Sequence, residues 1–193
     1  MNRLKNQNIT YIFGSGRKDK ILSDKEYPKD FFYSYFQLKD KDLKVDFIEF
    51  NDRNNNKICT LLDKILRKIS KLSFFTNSII SGSNFKKIRR SDLIIATNDR
   101  IGLSILPMIL IIKIYKKIDV YVFVMGLFSN KSNNKYIKFI QKNILILFAK
   151  LTTQFIFLGS PEMEKAEISF PHYKNKFSFI PFSIDTDYWS SKK

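Results

Sequence analysis

At 193 residues the chain fits one domain, and its 44% hydrophobic and 15% aromatic content is enough for a sizeable core. Thirty-four Lys and Arg against 18 Asp and Glu leave a net charge of +16, which suits anionic partners and equally suits Lys scattered over solvated faces. One cysteine, Cys59, excludes an intrachain disulfide, and one histidine without a cysteine cluster gives a zinc site no support.

The opening residues, MNRLKNQNITYIF, hold no signal-peptide core. Asn8 to Phe13 reads as a strand, closed by Gly14-Ser15-Gly16. Pro28 then starts an aromatic helix that runs to about Leu38, and Lys44 to Phe50 is a second strand. After a polar break over Asn51 to Asn56 comes the clearest helix in the chain. Ile58, Leu61, Leu62, Ile65, Leu66, Ile69 and Leu72 recur at helical spacing, and lysines occupy the opposite face. Its apolar face is expected against the sheet, with contact to an anionic membrane as the alternative. Asp63 and Arg67 are spaced as a helix ion pair.

A break at Gly82 precedes a short basic helix from Phe85 to Arg90, and Asp92 to Ala96 is a buried strand. Arg100 to Lys116 is an apolar helix that Pro107 either kinks or restarts. Its uncharged stretch, Ile101 to Ile112, is too short to span a bilayer. A cytoplasmic protein is therefore expected, with peripheral contact at the inner membrane face left open. Asp119 to Met125 is a strand, Asn134 to Leu151 a helix, and Gln154 to Leu158 and Phe177 to Ile180 the last strands. Strands alternating with helices predict a Rossmann-like, doubly wound α/β domain with a parallel sheet. Ligands of such sheets bind beyond the carboxyl ends of the strands.

The loops at those ends hold the candidate site residues. Gly14, Ser15, Gly16 and Arg17 would let a phosphate or sugar hydroxyl approach the backbone. A dinucleotide fingerprint would need a third glycine where Asp19 stands, so the loop also reads as a plain turn. Phe31, Phe32, Tyr33, Tyr35 and Phe36 are too many for one helix face and serve either the core or an acceptor cleft. Asn98 and Asp99 can cap the helix that follows them or bind an acceptor hydroxyl. Met125-Gly126 makes a tight turn after the fourth strand. Ser160, Pro161, Glu162 and Glu164 form a helix start whose acids suit the helix dipole. His172 lies in a polar loop and reads as solvated. The hydrolase elbow and the phosphate-loop signature are both missing from the sequence.

The most specific stretch is FSFIPFSIDTDYW, Phe177 to Trp189. It resembles the IPFGVDTDxW segment that leads out of the N-terminal domain of family 4 glycosyltransferases of the GT-B type. Ser183 stands where that family has glycine. The order of GSGR, DLIIATND, VYVFVMG and FLGSPEMEK before it is similar as well, and Ser160 to Glu164 resembles the family's S-x-x-x-E. Met125 stands where the family often has a histidine that contacts the reacting sugar-phosphate region. The resemblance implies an acceptor-side domain over residues 1–181, with 182–193 beginning the linker to a donor domain that the sequence does not contain. It also implies sugar transfer from a nucleotide-diphosphate sugar to a lipid-linked or saccharide acceptor in cell-envelope polysaccharide synthesis, without metal or cofactor. The substrate-binding residues would be Gly14, Ser15, Gly16, Arg17, Asn98, Asp99, Met125, Gly126, Ser160 and Glu164, with the catalytic residue unassigned. The chain alone is expected to be an inactive hexosyltransferase fragment. A subunit of a split glycosyltransferase is an alternative. A basic Rossmann-like module binding nucleic acid ranks last, because the basic residues are dispersed.

Overall fold

Six runs rich in β-branched and aromatic residues become six strands: β1 Asn8–Phe13, β2 Lys44–Glu49, β3 Leu93–Ala96, β4 Asp119–Val124, β5 Gln154–Phe157 and β6 Phe177–Phe179. The computed structural model describes residues 7–23, 25–41, 43–50, 56–128 and 132–191. All five strand pairings are parallel, in the order β2-β1-β3-β4-β5-β6. Between β1 and β2 lie α1 Lys18–Leu22, a 3-10 turn Asp30–Phe32 and α2 Tyr35–Lys39. The later connections carry α3 Lys57–Ser70, α4 Gly82–Arg90, α5 Asp99–Tyr115, α6 Lys135–Leu151 and α7 Ser160–Ser169, and α8 Thr186–Ser190 follows β6.

The first crossover moves one way along the sheet and the later ones move the other way. Right-handed connections then force the two sets onto opposite faces. Ile9, Tyr11, Phe13, Ile95, Phe123 and Ile156 pack with Phe32 and Tyr35 on one face. Ile12, Ile94, Val122 and Phe155 pack with α5, Phe148 and Ala166 on the other. The domain is thus a Rossmann-like, doubly wound α/β fold. Its topological switch point lies between β1 and β3.

The aromatic stretch does not form the single helix expected after Pro28. Tyr33 and Ser34 adopt left-handed backbone at φ 49° and 63°, which splits it into the 3-10 turn and α2. Phe32 and Tyr35, on either side of the break, both pack on the sheet. The buried Tyr11 hydroxyl donates to the Tyr33 carbonyl at 2.9 Å and pins the turn. α5 runs through Pro107 as one helix. Its Gly102 faces β4 so closely that an added Cβ would lie 2.7 Å from Phe148 Cζ and 3.0 Å from Val122 Cγ1.

The expectation for α3 is overturned. Ile58, Leu61, Leu62, Ile65 and Ile69 point outward and are 41–72% exposed, whereas Asp63 is only 4% exposed. Of the seven apolar positions only Leu66 and Leu72 pack inward, because the sheet face is otherwise filled by α5, Phe74 and Ile79, and α3 is carried as an outer element with polar anchors beside them. Asp63 accepts from Asn77 N–H at 2.9 Å, and Arg67 donates to the Phe74 carbonyl at 3.1 Å and lies 4.4 Å from the Phe75 ring. Asp63 and Arg67, spaced as a pair, therefore each turn to the segment after the helix instead. The polar break over Asn51 to Asn56 lies outside the described residues except for Asn56, whose side chain caps α3.

Candidate functional site at the carboxyl edge of the sheet

The loops after β1, β3, β4 and β5 converge at the carboxyl edge, and hydrogen bonds tie them together. Thr97, just past β3, donates through its N–H and hydroxyl to the Ile12 carbonyl of β1 at 3.2 and 2.9 Å. Asn98 caps α5, its side chain accepting from Ile101 N–H at 2.8 Å. Asp99 turns across to β4 and accepts from Met125 N–H at 3.1 Å. Glu162, in the first turn of α7, accepts from Gly126 N–H at 2.8 Å and also from Phe128 N–H. Two carboxylates from different helices thus hold the loop after β4, whose turn is completed by Gly126 at φ 104°.

Both carboxyls are pushed above their ordinary range. Burial is the main cause for Asp99, opposed by the Met125 N–H. Burial also leads for Glu162, opposed by the Gly126 and Phe128 N–H groups and reinforced by the nearby Asp99 charge.

The glycine loop after β1 is not an open anion cradle along its whole length. Glu49, the last residue of β2, accepts from Arg17 N–H at 2.6 Å and from Lys18 N–H at 3.1 Å. An internal carboxylate therefore takes two of the backbone donors that a phosphate would want. Gly14, Ser15 and Gly16 remain at the rim, with Gly16 at φ 79°. The Arg17 guanidinium stacks 5.3 and 5.6 Å from the Phe31 and Phe32 rings. Across the switch point, Arg100 lies 3.8 Å from the Phe75 ring and 5.2 Å from Phe50. Aromatic rings thus hold two guanidiniums on either side of the β1/β3 boundary.

Met125 is exposed at the rim, Ser160 is the exposed first residue of α7, and Glu164 faces solvent while Glu162 turns inward. The structure brings Gly14 to Arg17, Asn98, Asp99, Met125 and Gly126 to one edge, and leaves the Glu164 side chain outside the bonded cluster. Sequence reasoning missed Glu49 and Arg100 as site residues and credited Glu162 only with a dipole role. An acid ending a strand beside a glycine loop, and an arginine directly after a candidate cap, were the available signals. Of the five aromatics, Phe32 and Tyr35 are buried core, and Phe31 is exposed.

Beyond β6 the chain returns past β5, β4 and β3 to the first crossover. Asp185 accepts from Lys29 N–H at 3.0 Å and its own N–H donates to the Asp30 carboxylate. Trp189 Nε1 donates to Asp30 at 2.9 Å, and Phe182 packs on Phe31 at 5.3 Å between centroids. A cleft of about 290 Å³ lies between this strap and residues 29–37. No helix among the described residues is long and apolar enough to cross a membrane. No family model matches the chain, and no curated protein matches it.

Proposed function

We propose that this domain is the acceptor-side half of a GT-B glycosyltransferase working in the cytoplasm on a lipid-linked or saccharide acceptor. The path of the strap carries the reading. Phe179 to Trp189 leaves the sheet at one edge and is fastened to Lys29 and Asp30, near the loop that holds Arg17. A segment that exits one domain beside its ligand edge is suited to lead into a second domain facing that edge. The family 4 resemblance of the same residues supports this. The two ring-held guanidiniums supply cationic groups for a phosphate of the acceptor, and Asn98, Asp99 and Glu162 shape the floor. Donor recognition belongs to a second domain of the same or another chain.

Calorimetry with a sugar 1-phosphate as probe tests the reading. The 193-residue protein is expected to bind it weakly, and the paired changes Arg17→Ala and Arg100→Ala to weaken binding roughly tenfold or more, as for lost charged hydrogen bonds. The same protein is expected to release no nucleoside diphosphate from nucleotide sugars. Release by this chain alone, or binding indifferent to both arginines, would overturn the proposal.

A further inference from the structure

The outward face of α3 combines two features that seldom coincide on a water-facing helix. Ile58, Leu62, Ile65 and Ile69 recur at i, i+4, i+7 and i+11, with Leu61 beside them, and all five are exposed. Lys57, Lys64 and Lys68 recur at i, i+7 and i+11 and form a file along one flank, also exposed. The single acid of the helix, Asp63, is turned inward to Asn77. The outward face therefore carries apolar and cationic groups alone.

The orientation is built in. Asp63 and Arg67 both bond on the inner side, to Asn77 N–H and to the Phe74 carbonyl. Rotating the helix to bury its isoleucines would strand those polar groups. α6, which packs against α3, carries Tyr136 and Phe139, 82% and 70% exposed in its first turns, each directly after a lysine, Lys135 and Lys138.

We infer that the outward face of α3 docks on an anionic lipid bilayer surface. The apolar stripe enters the boundary between headgroups and acyl chains while the lysine file meets lipid phosphates and the stems of the lysines cover apolar surface. Charge favours this occupant over a second copy of the chain, which would bring two lysine files and two molecules of net charge +16 together. The inference stands on the orientation of α3 and needs no sugar-transfer activity.

Sedimentation of the full 193-residue protein with vesicles tests it. Wild type is expected to bind vesicles of phosphatidylglycerol mixed with phosphatidylcholine, and to bind pure phosphatidylcholine vesicles far less. Leu61→Glu with Ile65→Glu places charges at exposed positions, and circular dichroism should report an unchanged fold. That variant is expected to lose anionic-vesicle binding at least roughly tenfold. A second variant, with Lys57, Lys64 and Lys68 changed to Gln, is expected to lose roughly a hundredfold at low salt. Absence of wild-type binding, equal binding to neutral vesicles, or unchanged binding by a folded glutamate variant would overturn the inference. So would a wild-type dimer that ignores vesicles and dissociates on the glutamate changes, since it would assign the stripe to a second copy.

Discussion

Asp99 is asked to be half-buried and charged at once. Its carboxylate accepts the Met125 N–H, which favours ionisation, yet burial outweighs that bond and raises its pKa above the ordinary 3.8. A carboxyl raised on folding contributes stability that is fully present below its unfolded value. That contribution is lost as pH rises through the folded value. Asp99→Asn keeps an oxygen for Met125 and removes the titration. Urea denaturation of wild type and variant should then show the variant gaining on wild type as pH rises from about 3.5 to 7, where the linkage acts. Parallel profiles would contradict this assignment. Asp185 has the opposite sign: the Lys29 and Tyr188 N–H bonds hold its pKa down, so its hold on the strap is present above 3.8 and fades as pH falls through the depressed value. The sequence marked Asn98 and Asp99 as cap or ligand, but it could not divide the roles. Asp99's partner is 26 residues away, at the end of a neighbouring strand.

Among the elements, α5 is the central beam. It is apolar nearly all round, lies on β3 and β4 and meets α6 at Gly102. Gly102→Val would drive methyl groups into Phe148 and Val122, both almost fully buried. Overpacking of this kind costs about 1–3 kcal/mol, and should lower the urea midpoint with the slope unchanged. A midpoint equal to wild type would show that α5 can move off the sheet. The strands and this beam were legible because alternating composition and continuous apolar runs report burial on two faces. α3 was legible only as a helix. Periodicity defines a stripe and is silent on which side the stripe faces, and here Asp63 and Arg67 decide it through partners that lie beyond the helix's own residues. The aromatic segment misled for a related reason. Pro28 and five aromatics look like a helix start, while the left-handed pair Tyr33 and Ser34 answers to the sheet beneath them and to Tyr11.

At the scale of the molecule, two surfaces stand apart. The carboxyl edge gathers Arg17, Asn98 and Arg100 around the switch point, where ligands of doubly wound sheets bind, with Asp99 and Glu162 beside them at the end of β4. The strap from β6 frames that edge. α3 meets that edge by its inner side, where Arg67 lies over Phe75, and Phe75 in turn packs edge-on to Phe50 and beneath Arg100, while the apolar and cationic face of α3 points the other way. The direct measurement is amide chemical-shift mapping of the labelled 193-residue protein titrated with saccharides, sugar 1-phosphates, nucleoside diphosphates and an oligonucleotide. The account predicts that saccharides and sugar phosphates shift residues 14–17, 97–100 and 125–126, while nucleoside diphosphates shift them little. Tight nucleoside-diphosphate binding at those loops would contradict it, as would an oligonucleotide response spread over the lysine-rich helices with a steep salt dependence.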